Sequence, residues 1–207
     1  IKNDIAYSNQ PVVLVGISAG ISYGQLGATH HSIHDFAVLR AINNISIVSP
    51  ADNFETAEVI KKSLDYDKPL FIRYGKKPTL NLHKEGQKFE IGKAIMVDQG
   101  DEIVLIATGE TVQRAYLASQ ILKKEGLNAT VISMHTIKPF DKETFLERKF
   151  IIFESIDDNY KRDYSLTFWR PTVDKQQIRI VPSAYNADNP FTELKFYYGI
   201  TNKVMLS

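Results

Sequence analysis

Short apolar runs alternating with stretches of helical period constrain this chain more than any other feature. PVVLVGI (11–17), ISIVS (45–49) and PLFIRY (69–74) have the length and composition of buried strands. Between the first two, SIHDFAVLRAI (32–42) sets Ile33, Phe36, Ala37 and Arg40 or Ala41 along one side of a helix. Between the second and third, Asp52 is a good N-cap, and Glu55 completes a D-x-x-E capping-box spacing. Strand–helix alternation of this kind predicts parallel sheets with helices on their faces, the α/β class.

The same alternation begins again further along. GKAIMV (92–97) and EIVLIATG (102–109) read as strands around a Gln-Gly-Asp turn. ETVQRAYLASQILKKEG (110–126) reads as a helix with Val112, Ala115, Ala118, Ile121 and Leu122 on its apolar side and Gly126 as its C-cap glycine. NATVISM (128–134) and FIIFES (150–155) are strands on either side of a short helix, KETFLERK (142–149). DDNYKRDYSLTFWRPTVDKQQ (157–177) has no clear period, and only IRIVPSA (178–184) then reads as a strand. The intervening GKKPTLNLHKEGQKFE (75–90) holds Pro, two Gly and several Lys, and predicts a linker. The expected organisation is therefore a first domain over 1–74, a linker over 75–90 and a second domain over 91–207, sensible for 207 residues.

Charge and cysteine content narrow the function classes. Lys and Arg number 25 against 24 Asp and Glu, interspersed, so no basic stripe suggests a nucleic acid or an anionic membrane as partner. The absence of cysteine removes disulfides, thiolate nucleophiles and Cys-based zinc sites, and fits a cytoplasmic protein. No apolar run is long enough to span a bilayer. IKNDIAYSN lacks a signal-peptide layout, and an opening Ile rather than Met leads us to expect residues before it.

GQLGATHHSIHDFAVLR (24–40) is the richest stretch for chemistry. His30 and His34 are four apart and His31 and His34 three apart, a spacing that could set two imidazoles on one side of a helix near Asp35. No E-x-x-H partner accompanies them, so no metal site is expected, and His31 and His34 read as lining the first turn of a helix. His30 follows a two-glycine loop after a strand, where α/β sheets bind ligands, and can move protons near neutral pH. ATGETV (107–112) offers a second glycine turn before a helix, but Glu110 in its first turn would repel an anion. Neither a G-x-G-x-x-G nor a G-x-x-x-x-G-K-[ST] motif occurs, and Ser-His-Asp hydrolase chemistry is not expected either.

Taken together, these motifs resemble those of the transketolase family. Residues 24–35 resemble its G-x-D-G-x-T-H-[QH]-x-x-x-D pattern, followed in order by LRAINN (39–44) and PAD (50–52), in the style of the second half of a pyrimidine-binding domain. GKAIMV through MHTIKPFD (134–141) is similar to the transketolase C-terminal domain, and the likeness runs from residue 1 to about 155, beyond which a divergent tail from about 156 replaces the family's G-G-L-G helix start. It implies two three-layer α/β domains. It also implies thiamine diphosphate with Mg²⁺, and transfer of a two-carbon ketol unit between sugars or sugar phosphates. By the same resemblance His30 touches the donor sugar beside the cofactor, Ser18 and Gln25 belong to the substrate loop, and Lys76 takes the place of an arginine that grips the substrate phosphate.

The departures are as specific as the matches. Leu26 stands where the pattern has an aspartate, and Ser18 where a histidine is expected. The glutamate that activates the cofactor, and the aromatics that stack on it, would lie before Ile1. Gly100-Asp101-Glu102 reads as a hairpin-like turn rather than a G-D-G diphosphate motif. The resemblance therefore implies the C-terminal subunit of a split enzyme, with cofactor and Mg²⁺ bound mainly by an N-terminal subunit that carries the diphosphate-binding domain, in a homodimer or heterotetramer. Two alternatives stay open at this point: a non-catalytic assembly or regulatory subunit, and the beta subunit of a 2-oxo acid dehydrogenase.

Overall fold

The structure, a computed structural model, describes residues 1–84 and 86–146 and the strands Phe150–Phe153, Leu166–Trp169 and Gln177–Ile180. After a π-helical turn at Lys2–Tyr7, the first half runs β1 (Val13–Gly16), α1 (Asp35–Arg40), β2 (Ser46–Val48), α2 (Asn53–Ser63) and β3 (Leu70–Arg73). The second half runs β4 (Ile95–Asp98), β5 (Ile103–Ala107), α3 (Thr111–Lys124), β6 (Ala129–Ser133), β7 (Thr136–Lys138), α4 (Lys142–Leu146), β8 (Phe150–Phe153), β9 (Leu166–Trp169) and β10 (Gln177–Ile180). The expected strand end at 181–184 and helix end at 147–149 lie outside the described residues.

Two sheets result. The first has the order β1-β3-β2-β7, with β1, β3 and β2 parallel and β7 antiparallel to β2. The second has the order β10-β9-β8-β5-β6-β4, parallel at β8-β5-β6 and antiparallel at both flanks. The α/β class expected from the alternation is the class observed. Its antiparallel flanks were not foreseen: β4 and β5 do not form a hairpin, because β6 lies between them and pairs with both. The turn at 99–102 instead docks on β6, where Thr130 Oγ1 accepts from the backbone N–H of Gly100.

Local chemistry explains the helices. Asp52 caps α2 by accepting from the backbone N–H of Glu55 (3.0 Å), while Glu55 reaches past the cap to the N–H of Ala51 (2.7 Å). α3 ends where Gly126 turns left-handed (φ 84°), letting the N–H of Leu127 bond back to Leu122. Val112, Ala115 and Ala118 of α3 pack on β5 and β6, whereas Ile121 faces solvent, contrary to the expected apolar side. In α1 the buried anchor is Leu39, with Phe36 half-buried. Ile33 is 73% exposed because α1 starts after it, and Ala37 within α1 is exposed too, on the side away from Leu39 and Phe36. β1 departs from its reading as a buried strand. It lies at the edge of its sheet, and Val15 is 57% exposed.

The two halves share their packing. Ala51 and Leu82 join Val97, Leu105, Val112 and Val131 in one cluster, and Phe89 and Ile95 join Val48, Val59, Leu70 and Ile72 in another. The described residues of 75–90 form no helix or strand, yet Leu82 and Phe89 are buried, and His83 is sealed between two carboxylates. Its Nδ1 lies 2.8 Å from Asp52 Oδ2; its Nε2 stands 3.0 Å from Glu55 Oε1, an ion-pair contact without hydrogen-bond alignment. All three side chains are fully buried. Burial pushes the imidazole pKa down, but its contacts with Asp52 and Glu55 outweigh that and raise it from 6.5 to about 9. Burial likewise pushes Asp52 up, and His83 with the N–H groups of Glu55 and Leu82 brings it down to about 2. Nearby, His135 stacks on Phe89 (4.3 Å between centroids), and burial lowers its pKa.

Candidate functional site

The loop that leaves β1 is fastened at its root to the end of β3. The N–H of Tyr74 donates to the carbonyl of Gly16 (2.8 Å), and the N–H of Ala19 donates to the carbonyl of Tyr74 (3.1 Å). Gly16 lets the strand end lie close to the Phe71 ring, whose tip is 2.7 Å from where a Cβ would stand. At its far end, the N–H of Ser32 bonds the carbonyl of Gly20 (2.8 Å), so residues 20–32 close into a compact excursion. Inside it, a 3-10 turn at Gly24–Leu26 and the left-handed Gly27 (φ 73°) bring Thr29 and His30 to the surface.

His30 is exposed, with Nδ1 3.0 Å from Thr29 Oγ1 and its ring edge-on to Tyr23 (5.4 Å, 63°). Lys76, from the turn after β3, sets its ammonium 3.7 Å from the centroid of the same Tyr23 ring. The loops after two neighbouring parallel strands thus converge on one aromatic side chain, with an acid–base group on its edge and a cation on its face. An imidazole and an ammonium at one strand end can hold a polyhydroxylated anion, the cation taking the charge and the histidine meeting a hydroxyl.

The remaining expected residues are placed as follows. Gln25 is exposed within the 3-10 turn, and Leu26 beside it is 55% exposed. Ser18 is buried, with a left-handed backbone (φ 63°). The run Gly16-Ile17-Ser18-Ala19-Gly20 has the G-x-S-x-G spacing of a nucleophile elbow, but Ser18 is covered, and no α-helix follows it directly. His31 does not line a helix turn. It lies before α1, with Nε2 3.2 Å from the Gly24 carbonyl inside the loop, while His34 is the N-cap residue of α1. Among the described residues, no group of three or more His, Cys, Asp or Glu side chains could hold a metal ion.

Three contributors were not singled out for the site. Tyr23 carries the convergence, and an aromatic residue between two loop glycines was its only signal. Arg73 fixes the approach of α1: its Nε donates to Asp35 (2.7 Å), a terminal nitrogen donates to the Ser32 carbonyl (3.1 Å), and the guanidinium covers the Phe36 ring. Arg73, Asp35 and Ser32 line a separate cavity of about 400 Å³ with His34, Val38 and Phe71. Glu110 was read as repelling an anion at the start of α3. It leaves its own helix uncapped and instead accepts from the backbone N–H groups of Lys76 (2.8 Å) and Lys77 (3.2 Å).

Comparison with known proteins bears on this arrangement. Residues 1–80 match the family model for the transketolase pyrimidine-binding domain, and residues 92–156 match that for the transketolase C-terminal domain. The chain is 41% identical over 144 residues to an apulose-4-phosphate transketolase subunit of Phocaeicola vulgatus, covering 69% of this chain and 46% of that protein. It is 33% identical over 142 residues to a 6-deoxy-6-sulfo-D-fructose transketolase subunit of a Clostridium species, covering 69% of this chain and 44% of the relative. A solved split-gene transketolase, described as an inactive beta4 tetramer, superposes with a TM-score of 0.67 at 28% identity, over 73% of this chain and 50% of that one. The chain spans about half the length of the curated subunits it matches.

Proposed function

The chain belongs to the transketolase family, and we propose that it is the C-terminal subunit of a split, thiamine-diphosphate-dependent transketolase that acts on sugars or sugar phosphates. The relatives named as subunits support the division of labour. The proposed domain division follows the sequence: a partial pyrimidine-binding domain over 1–74, a linker over 75–90 and a C-terminal domain over 91–207.

The observation that carries the reading is the meeting of His30 and Lys76 on Tyr23. His30 meets the donor hydroxyls, and Lys76 takes the terminal phosphate as a point charge, without the two-pronged grip an arginine would add. Gln25 presents its amide on the substrate loop, and Ser18 stands buried at the root of that loop. The described donor set does not fit the diphosphate–Mg²⁺ end of the cofactor, since no acidic or histidine cluster is assembled for a metal. A partner subunit with the diphosphate-binding domain supplies that site, in a heterotetramer.

Leu26 favours a second reading, that of an inert assembly subunit: an exposed apolar side chain stands where a carboxylate would meet sugar hydroxyls. Titration calorimetry with thiamine diphosphate tests the first reading. The chain alone should give no binding, and addition of the partner subunit should give both binding and ketol transfer. Tight binding by the chain alone would overturn the split assignment, and an assembled complex that binds cofactor without turnover would favour the inert subunit.

A further inference from the structure

We infer that Lys76 is held ready for its anion by two positioning residues, Glu110 through the backbone and Tyr23 through the ammonium. The inference rests on the reading of Lys76 as the phosphate grip. A lysine in an exposed turn has many rotamers, and capture of an anion by such a group loses affinity to the ordering of the side chain. Here the ordering is done in advance at both ends of the residue.

The backbone end is fixed from the other half of the chain. Glu110 stands at the N-cap of α3 with no cap bond to its own helix, and its Oε1 accepts from the N–H groups of Lys76 and Lys77. One turn further on, Gln113 Oε1 accepts from the N–H of Leu80 (2.7 Å), so the first turn of α3 holds the segment at two points. Gly75 makes the contact possible, because a Cβ there would run into the Glu110 carboxylate. The ammonium end is fixed by the Tyr23 ring, which leaves the outward N–H groups of Lys76 available to a ligand. The same ring meets His30, so the distance between cation and imidazole is set by one rigid side chain. On this account a helix of the C-terminal domain, acting through Glu110, tunes the recognition of charge on the substrate.

The test uses the complex with its partner subunit and two probe donors, fructose 6-phosphate and fructose, read as the ratio of their kcat/KM values. Lys76→Met should collapse the ratio. Glu110→Ala, Gly75→Ala and Tyr23→Leu should each lower it roughly three- to tenfold, through KM for the phosphorylated sugar. Glu110→Ala and Gly75→Ala combined should do no more than either alone, because both release the same contact. Glu110→Gln keeps an acceptor and sheds a charge that opposes the anion, so it should retain or raise the ratio, while Tyr23→Phe keeps the ring and should retain it. If Lys76→Met lowers the ratio while Glu110→Ala and Tyr23→Leu leave it unchanged, the positioning inference is overturned and the grip survives. If Lys76→Met itself changes nothing, the grip falls, and the inference with it. Should the complex turn over neither sugar, titration of the same variants with inorganic phosphate, followed by the amide resonance of Lys76, gives the same comparison. Equal apparent affinity in the wild type, Glu110→Ala and Tyr23→Leu then overturns the inference.

Discussion

Replacing His83 with alanine is the most demanding test of how the two halves are joined. The imidazole is fully buried between Asp52 and Glu55 and stacks on Phe54 (5.0 Å between centroids). Its removal leaves two buried carboxylates facing each other. Asp52 keeps the N–H groups of Glu55 and Leu82, and Glu55 keeps that of Ala51, but neither keeps a cation. Stranding buried charge in this way costs about 3–5 kcal/mol. The pH dependence gives an independent measure of the same contact. The folded-state pKa of His83 is raised from 6.5 to about 9, so its stabilisation is complete below 6.5 and is lost as pH rises through about 9. At about 1.4 kcal/mol per unit, the loss is on the order of 3 kcal/mol, in line with the mutational figure. Equilibrium urea denaturation from pH 6 to 10 should show a fall in wild-type stability between 6.5 and about 9 that the His83→Ala protein lacks. The variant should also gain stability on acidification, as its stranded carboxylates take up protons. A wild type that is flat between pH 6.5 and 9.5, or a His83→Ala cost below about 1 kcal/mol, would refute the charge-sandwich argument.

Two further outcomes follow from local geometry. Gly109 is left-handed (φ 57°), and a Cβ there would lie 2.5 Å from Ser49 Oγ, whereas Gly126 (φ 84°) has open space. In thermal denaturation Gly126→Ala should cost about 1 kcal/mol, from backbone strain alone, and Gly109→Ala clearly more; equal costs would remove the steric part of the argument. Asp141 accepts from the N–H groups of Ala94 (2.9 Å) and Thr144 (3.2 Å) and from the Thr144 hydroxyl (2.8 Å). Burial raises its pKa, but these bonds outweigh it and hold it below 3.8, so its contribution is present above 3.8 and fades as pH falls further. Asp141→Asn should flatten that acid limb, and an unchanged limb would show that the carboxylate charge is not what matters.

The legible parts of this fold are those written in local chemistry. Asp52 and Glu55 announce the start of α2, Gly126 announces the end of α3, and each works over a few residues. What the residues could not disclose depends on distant partners. The valines of β1 look buried by composition, but a strand at a sheet edge has one neighbour, and composition does not reveal strand order. β4 and β5 look like a hairpin because they are close in sequence, yet β6 separates them. β9 carries no alternation, and its place is set by pairing with β8 and β10. Residues 75–90 look solvated by their lysines, and the burial of His83 became visible only once both acidic partners had been placed around it. In the candidate site, the glycine loop predicts a histidine at the strand end, and His30 is exposed there. Tyr23 and Glu110 act by touching residues 53 and 34 positions away, and no spacing rule reaches that far.

β7 has a consequence for anyone who cuts this protein. Thr136–Lys138 belongs to the second half of the chain but closes the first sheet by pairing with β2. Expression of residues 1–74 alone would uncover β2 as a raw edge, a template for pairing with other chains, and would strip Asp52 and Glu55 of the imidazole they enclose. Residues 91–207 alone would lose Ala51 and Leu82 from the cluster beneath α3. A fragment boundary drawn between the two family-model matches thus divides packing that the halves share, and the expected product of such a cut is aggregate rather than two soluble domains.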